Sequence, residues 1–223
     1  MKISKILTNR NKGFTLVEMA IVLVIVGLLV TAFLTPLSAQ LDLRNNSETR
    51  TSLTEIRDAL VGYAISHTAL DGRPFLPCPD TDGNGTENRM GNLCTSNEGD
   101  LPFSDLGLQS TDSWNNQFIY RVTQTFANSA NGFTLALTGD ITVLNAAGGA
   151  NIASNVPAIV VSLGENGAIL PVAGPDQTEN INVNAVFVSK DFTESAANPF
   201  DDLVVWVSPN ILINRMVTAG RLP

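Results

Sequence analysis

The sequence predicts an α+β protein: one long N-terminal helix, membrane-spanning in its first half, packs in its second half on an antiparallel β-sheet domain. Three observations predict it. The run Phe14–Leu34 is 21 residues of apolar sequence broken only by Thr15, Glu18 and Thr31. Past Pro36, apolar side chains recur at helical spacing, at Leu53, Ile56, Leu60, Tyr63 and His67. The rest of the chain sets short β-prone segments between Asn- and Gly-rich turns.

As a helix rising about 1.5 Å per residue, the first run is roughly 31 Å long, the thickness of a hydrocarbon core. Lys2, Lys5, Arg10 and Lys12 precede it with no acid among them. Basic flanks stay on the cytoplasmic side, so one span with its N-terminus inside is expected. An ordinary secretory signal has a shorter apolar core and a small-residue cleavage site. Leu37-Ser38-Ala39 is a poor one. Glu18 stands out within the run, since a carboxylate at membrane depth costs at least a few kcal/mol and calls for a partner.

After Pro36, which lacks a backbone donor and is expected to kink or open the helix, the helical pattern resumes. Its apolar stripe carries His67, expected to be packed against the domain, and Glu55, Arg57 and Asp58 lie on the solvated side. Asp71-Gly72 is the expected stop, giving one helix over 14–70. The stretch from Gly72 to Ser113 reads as loop. Strands are expected at Gln117–Phe126, Phe133–Thr138, Val156–Leu163, Val183–Ser189 and Leu203–Val207, with Trp206 in the core. Ser208-Pro209 reads as a cap and first position of a short helix, Asn210–Ala219, ending at Gly220. The chain thus divides into a basic leader (1–13), an apolar helix (14–35), its amphipathic continuation (36–72) and a globular β-sheet domain (73–223).

The 189 residues beyond Leu34 suffice for one domain with a real core. Net charge is −8, and −12 without the leader's four cations, which argues against a nucleic-acid surface. Cys78 and Cys94 suit an oxidising compartment, where a bridge closing loop 78–94 would stabilise by about 3 kcal/mol. Free thiols, or metal ligands without C-x-x-C spacing, are the alternatives. One histidine, no G-x-S-x-G, no Walker motif and no dinucleotide fingerprint leave an enzyme unexpected. Asp201-Asp202 is expected to cap a turn.

Lys12-Gly13-Phe14-Thr15-Leu16-Val17-Glu18 resembles the cleavage and methylation motif of type IV pilins and type II secretion pseudopilins. The resemblance covers about the first 40 residues, and the long helix with a sheet domain and short disulfide loop is pilin-like. It implies that a membrane-embedded prepilin peptidase cuts between Gly13 and Phe14 and methylates the new Phe14 amine. Glycine lets an extended backbone enter a tight protease site. The implied partner of Glu18 is that amine, in the same or the adjacent subunit, because a paired buried charge is tolerable where a lone one is not. In such filaments the helix is thought to melt between a glycine and a proline placed like Gly27 and Pro36. The other implied partners are further pilin or pseudopilin subunits and the inner membrane. A minor pilin of a periplasmic or cell-surface filament and a pseudopilin of a type II secretion system are the two roles implied.

Asp80-Thr81-Asp82-Gly83-Asn84-Gly85 matches the first half of a calcium loop. Asp80, Asp82, Asn84 and Asn88 are the candidate ligands, with a carbonyl from Thr86. The twelfth position is Gly91 rather than glutamate, and Asx-Gly turns produce similar strings. Asp112-Ser113-Trp114-Asn115 through Tyr120 is similar to the Asp-x-Trp-Gly…Tyr signature of pseudopilin domains, with Asn115 where a left-handed glycine is usual. Val160–Gly167 is similar to their strand and Ser-x-Gly-x-Asp-Gly turn. In some relatives the loop after that turn binds calcium, which makes Glu165, Asn166, Asp176 and Glu179 candidates here.

Overall fold

The computed structural model describes residues 13–167 and 174–223, apart from the side chains of 32–39. It divides into two compact units, Met1–Arg44 and Asn45–Pro223. The first helix, α1 (Leu16–Ser66), belongs to both. Within the first unit, every large apolar side chain described from Phe14 to Val30 is exposed. Among the described residues no helix is long and apolar enough to cross a membrane. The described side chains of the apolar run stop at Thr31, about 24 Å of helix from Leu16. The backbone of α1 continues through the end of the span expected over 14–35, of which the side chains from 32 on lie outside the described ones.

In the second unit α1 buries the expected stripe: Leu53, Ile56, Leu60, Tyr63 and Ala64. It ends at Ser66 rather than near residue 70. The Ser66 hydroxyl donates to the Gly62 and Tyr63 carbonyls, and His67 Nδ1 lies 3.0 Å from the Tyr63 carbonyl, so the last turn's acceptors are taken locally. The amides of Leu70 and Asp71 then donate to Ser129 and Ala130, which draws the chain off the helix axis. His67 is consequently exposed, stacked on Tyr63 at 3.8 Å, and not packed in the core as the stripe predicts.

The loop region carries short elements: β1 (Arg89–Met90), β2 (Leu93–Cys94), β3 (Glu98–Asp100) and α2 (Phe103–Leu106). After them come β4 (Ile119–Val122), β5 (Ile141–Leu144), β6 (Asn151–Val156), β7 (Ala158–Ser162), α3 (Pro175–Ile181), β8 (Val186–Val188), β9 (Leu203–Val207) and α4 (Pro209–Thr218). A four-stranded sheet has the order β3-β4-β7-β9 with every pair antiparallel. A three-stranded sheet has the order β6-β5-β8, and its β5–β8 pair is parallel, against the expectation of a purely antiparallel domain.

The strand expected at 133–138 does not form. Phe133 is buried, but the Leu137 amide closes a turn onto Thr134 and the Gly139 amide goes to Asn155, so no ladder runs through the segment. The strands at 141–144 and 151–156 were not foreseen; the second reads NIASNV, too polar for the pattern. Pro157 has no N–H to donate and separates β6 from β7, splitting the segment that starts at Val156. The Leu203–Val207 strand and the C-terminal helix, with Ser208 at its cap, fall where the sequence puts them.

β7 is buried along its whole length because the four-stranded sheet is covered on both faces. Ala158 and Val160 join Leu53, Ile56, Leu60, Tyr120, Leu212 and Met216 in one core. Ile159 and Val161 join Ile141, Val143, Val156 and Phe187 in another. Trp206 is half-buried against this second core. Cys78 and Cys94 form a disulfide.

Leu60→Ala should cost about 2–5 kcal/mol in urea or thermal melts of the chain in detergent, because the site is closed on all sides. Gly62→Ala, two residues on, should instead be neutral to stabilising by up to about 1 kcal/mol. A Cβ there meets nothing within 4 Å.

Candidate functional site

Gly13, Phe14 and Thr15 are non-helical and exposed, and α1 starts directly after them. A Cβ built at Gly13 meets nothing within 4 Å, so nothing in the fold calls for glycine there. Thr15 and Glu18 form a capping box. Glu18 Oε2 accepts from the Thr15 amide at 2.8 Å and from its hydroxyl at 2.9 Å, and the Glu18 amide donates back to Thr15 Oγ1 at 3.2 Å. The carboxylate is thereby held beside the positive end of the helix dipole, one turn from the Gly13–Phe14 bond. Its other oxygen, Oε1, has no hydrogen-bond partner among the described residues. The Thr15 role was missed in the sequence, although T-x-x-E ahead of an apolar run is its signature.

The backbone of α1 is helical through both Gly27 and Pro36. The Thr31 hydroxyl donates to the Gly27 carbonyl at 2.9 Å. Pro36 has no N–H for the carbonyl four residues earlier, which leaves the ladder one bond short.

In the loop closed by the Cys78–Cys94 disulfide, the candidate calcium ligands accept hydrogen bonds from loop amides and from neighbouring side chains. Asp80 is buried; its Oδ1 accepts from the Asp82 and Gly83 amides and its Oδ2 from Gly85 at 2.6 Å. Asp82 takes the Asn84 amide and the Asn88 side chain. Asn84 takes Thr86, and Asn88 takes Thr81. Burial works against the Asp80 carboxylate, yet the Gly85, Asp82 and Gly83 amides outweigh it and lower its pKa. Gly85 sits at φ +86°, and a Cβ there would strike the Phe103 ring at 2.5 Å. Among the described residues no group of three or more His, Cys, Asp or Glu side chains is set to hold a metal ion.

The two pseudopilin-like motifs meet. Asp112 Oδ1 accepts from the Trp114 and Asn116 amides, and its Oδ2 accepts from the buried Ser162 hydroxyl at 2.6 Å. Asn115 is left-handed at φ +67°, the conformation expected for the residue in glycine's place. The Asn116 side chain donates to the Gly164 carbonyl, and Gly164, at φ +63°, lies too close to the Asp201 carbonyl for any side chain. Asp112 is therefore a structural tie between the turn and β7.

Of the second candidate ligand set, Asp176 pairs with Lys190 and accepts from Ala147 and Asn198; Glu179 accepts from Asn184; Asn166 pairs with Gln177. Among the described residues, no hydrogen bond joins the Glu165 side chain to Asn166, Asp176 or Glu179. Gln177 also donates to Asp201, which takes the Asn166 amide. Beside this network Asp202 is 3% exposed, with Oδ2 accepting from Asn180 at 2.7 Å and Oδ1 without a partner among the described residues. Burial first, and the neighbouring Asp201 charge after it, push its pKa up to about 7 against the hydrogen bond from Asn180.

Between about pH 4 and 7 the unfolded chain releases the Asp202 proton while the folded chain keeps it. Stability should therefore fall as pH rises through that window, by up to something on the order of 4 kcal/mol. Burial likewise raises Glu98, Asp100 and Asp201, adding to the same slope. Melting temperatures measured across the window should show the decline, and Asp202→Asn should flatten much of it; an unchanged slope would remove Asp202 as its source.

The chain matches no curated protein and no solved structure. Residues 8–34 match the prokaryotic N-terminal methylation motif. The match takes in Gly13, Phe14, the Thr15–Glu18 box and Gly27. By that motif, the N-terminal segment of this chain bears the signature of type IV pilins and pseudopilins.

Proposed function

We propose that the chain is a structural subunit of a type IV pilus-like filament, cut by a prepilin peptidase after Gly13 and polymerised through α1. The observation that carries this reading is the methylation motif over 8–34. The accessible, non-helical Gly13–Thr15 segment supports processing there, since a peptidase needs an extended strand to grip. The bare apolar side chains from Phe14 to Val30 support a helix that is first held in a membrane and then packed among others like it. Its C-terminal domain is exported and its helix anchors it in the inner membrane until assembly. The role is structural and not catalytic. A domain of this length with so much irregular loop fits a minor subunit better than a bulk one.

In this mechanism cleavage turns the Phe14 amide into a cationic amine one residue before the cap. Oε1 of Glu18, on the same helix or a neighbour's, accepts from it as growth carries both into an apolar core. Gly27 and Pro36 give the helix its weak stretch, which lets subunits shift within the filament.

Gly13→Leu should leave the melting curve unchanged and abolish cleavage, read by mass spectrometry of the N-terminal peptide. Glu18→Ala should still insert and be cut but fail to enter filaments; normal incorporation would sink the pairing. A peptide starting at methylated Phe14 in filaments sheared from cells makes the chain a surface pilus subunit. The same peptide confined to the envelope fraction makes it a pseudopilin of a secretion system, and an intact Met1–Gly13 leader overturns the reading.

A further inference from the structure

The four-stranded sheet ends at β9, and among the described residues no hydrogen bond joins β9 to any element other than β7. Its sequence, Leu-Val-Val-Trp-Val, has no charge, proline or bulge of the kind that normally blunts a sheet edge. Leu203, Val205 and Val207 face the first core, while Val204 and Trp206 face the second. A groove of about 150 Å³ is bounded by Leu203, Val204 and Val205 together with Arg50, Leu53 and Thr54 of α1. Its lining takes three consecutive residues of β9, so it runs along the strand beside α1. A second groove, of about 390 Å³, continues in the same direction between Val61, Gly62 and Ile65 of α1 and Val207, Ser208 and Ile211.

This helix-and-edge-strand geometry is the one in which extended peptides add as a further strand. Charge selects the occupant. Arg50 stands at one end and Arg57 and Arg215 at the other, on a chain of net charge −8. Arg57 pairs with Asp58, the carboxylate lining the groove, and Glu55 flanks the Arg50 end; Arg50 and Arg215 have no ion pair among the described residues. A second copy presenting its own β9 antiparallel would bring the Arg50 end of one strand against the Arg57–Arg215 end of the other, which repels. We propose that this edge binds an extended segment of a partner polypeptide carrying carboxylates between apolar residues, added to β9 as a fifth strand. Backbone groups of the strand supply the ladder, and the arginines fix register and exclude basic segments.

The test uses the full chain in detergent micelles and a fluorescent peptide of alternating aspartate and valine. Anisotropy should show saturable binding that weakens with salt. The double variant Arg50→Ala/Arg215→Ala, at two exposed positions that leave the core intact, should weaken it about tenfold. N-methylating the peptide's aspartate amides and its valine amides separately should abolish binding in one case and spare it in the other, because only one edge of the added strand faces β9. Three results would overturn the proposal: no saturable binding, equal binding of a lysine–valine peptide, or indifference to both methylations. A Val205→Cys chain that cross-links to a second copy through β9, and so excludes the peptide, would assign the edge to self-association and overturn it equally.

Discussion

Burial of one stripe of α1 against the four-stranded sheet is the contact on which the Asn45–Pro223 unit depends. Leu53, Ile56, Leu60 and Ala64 share a core with Tyr120, Val160 and Val207, and without the helix that face of the sheet would stand in water. Because the opposite face is covered by the second sheet, the strands between are apolar on both sides, and β7 reads as an unbroken run. The polar ties follow from this. Asp112 reaches Ser162 and Asn116 reaches Gly164 because the turn before β4 must close over the end of β7.

Much of this was legible in the residues. The spacing of Leu53, Ile56, Leu60 and Tyr63 gave the buried stripe, and the β-branched runs at 158–162 and 203–207 gave strands. What was not legible has local causes. His67 continues the helical spacing, but the side chains of Ser66 and His67 take the last carbonyls and end the helix first. Asn151–Val156 is a strand by pairing, not by composition, and the parallel partnership of β5 with β8 joins segments too far apart for periodicity to register.

The sites divide in the same way. The methylation motif was readable because its signal is contiguous, running from Gly13 to Glu18 within the matched stretch. The Thr15–Glu18 box is less conspicuous, because a carboxylate in an apolar run points first to a charged partner, the Phe14 amine of the same or the adjacent subunit, and not to a local cap. The Asp80 loop has calcium-like spacing, and its oxygens at alternate positions accept from turn amides, a use that the same spacing serves equally. Asp202 gave no sign at all, since a carboxylate before a strand looks the same whether it faces water or Asn180.

The disulfide has a consequence for timing. Cys78 is fully buried and Cys94 nearly so, at 0% and 6% exposure, beneath a loop that also threads the Asp80 turn. An oxidant cannot reach sulfur atoms already sealed inside a finished core. The bond must therefore be laid down while the 78–94 stretch is still open, before the Tyr120 and Phe126 region closes over it. The chain thus has only the interval before its fold is complete in which to form the bond, and after that the same burial slows oxidation and reduction alike.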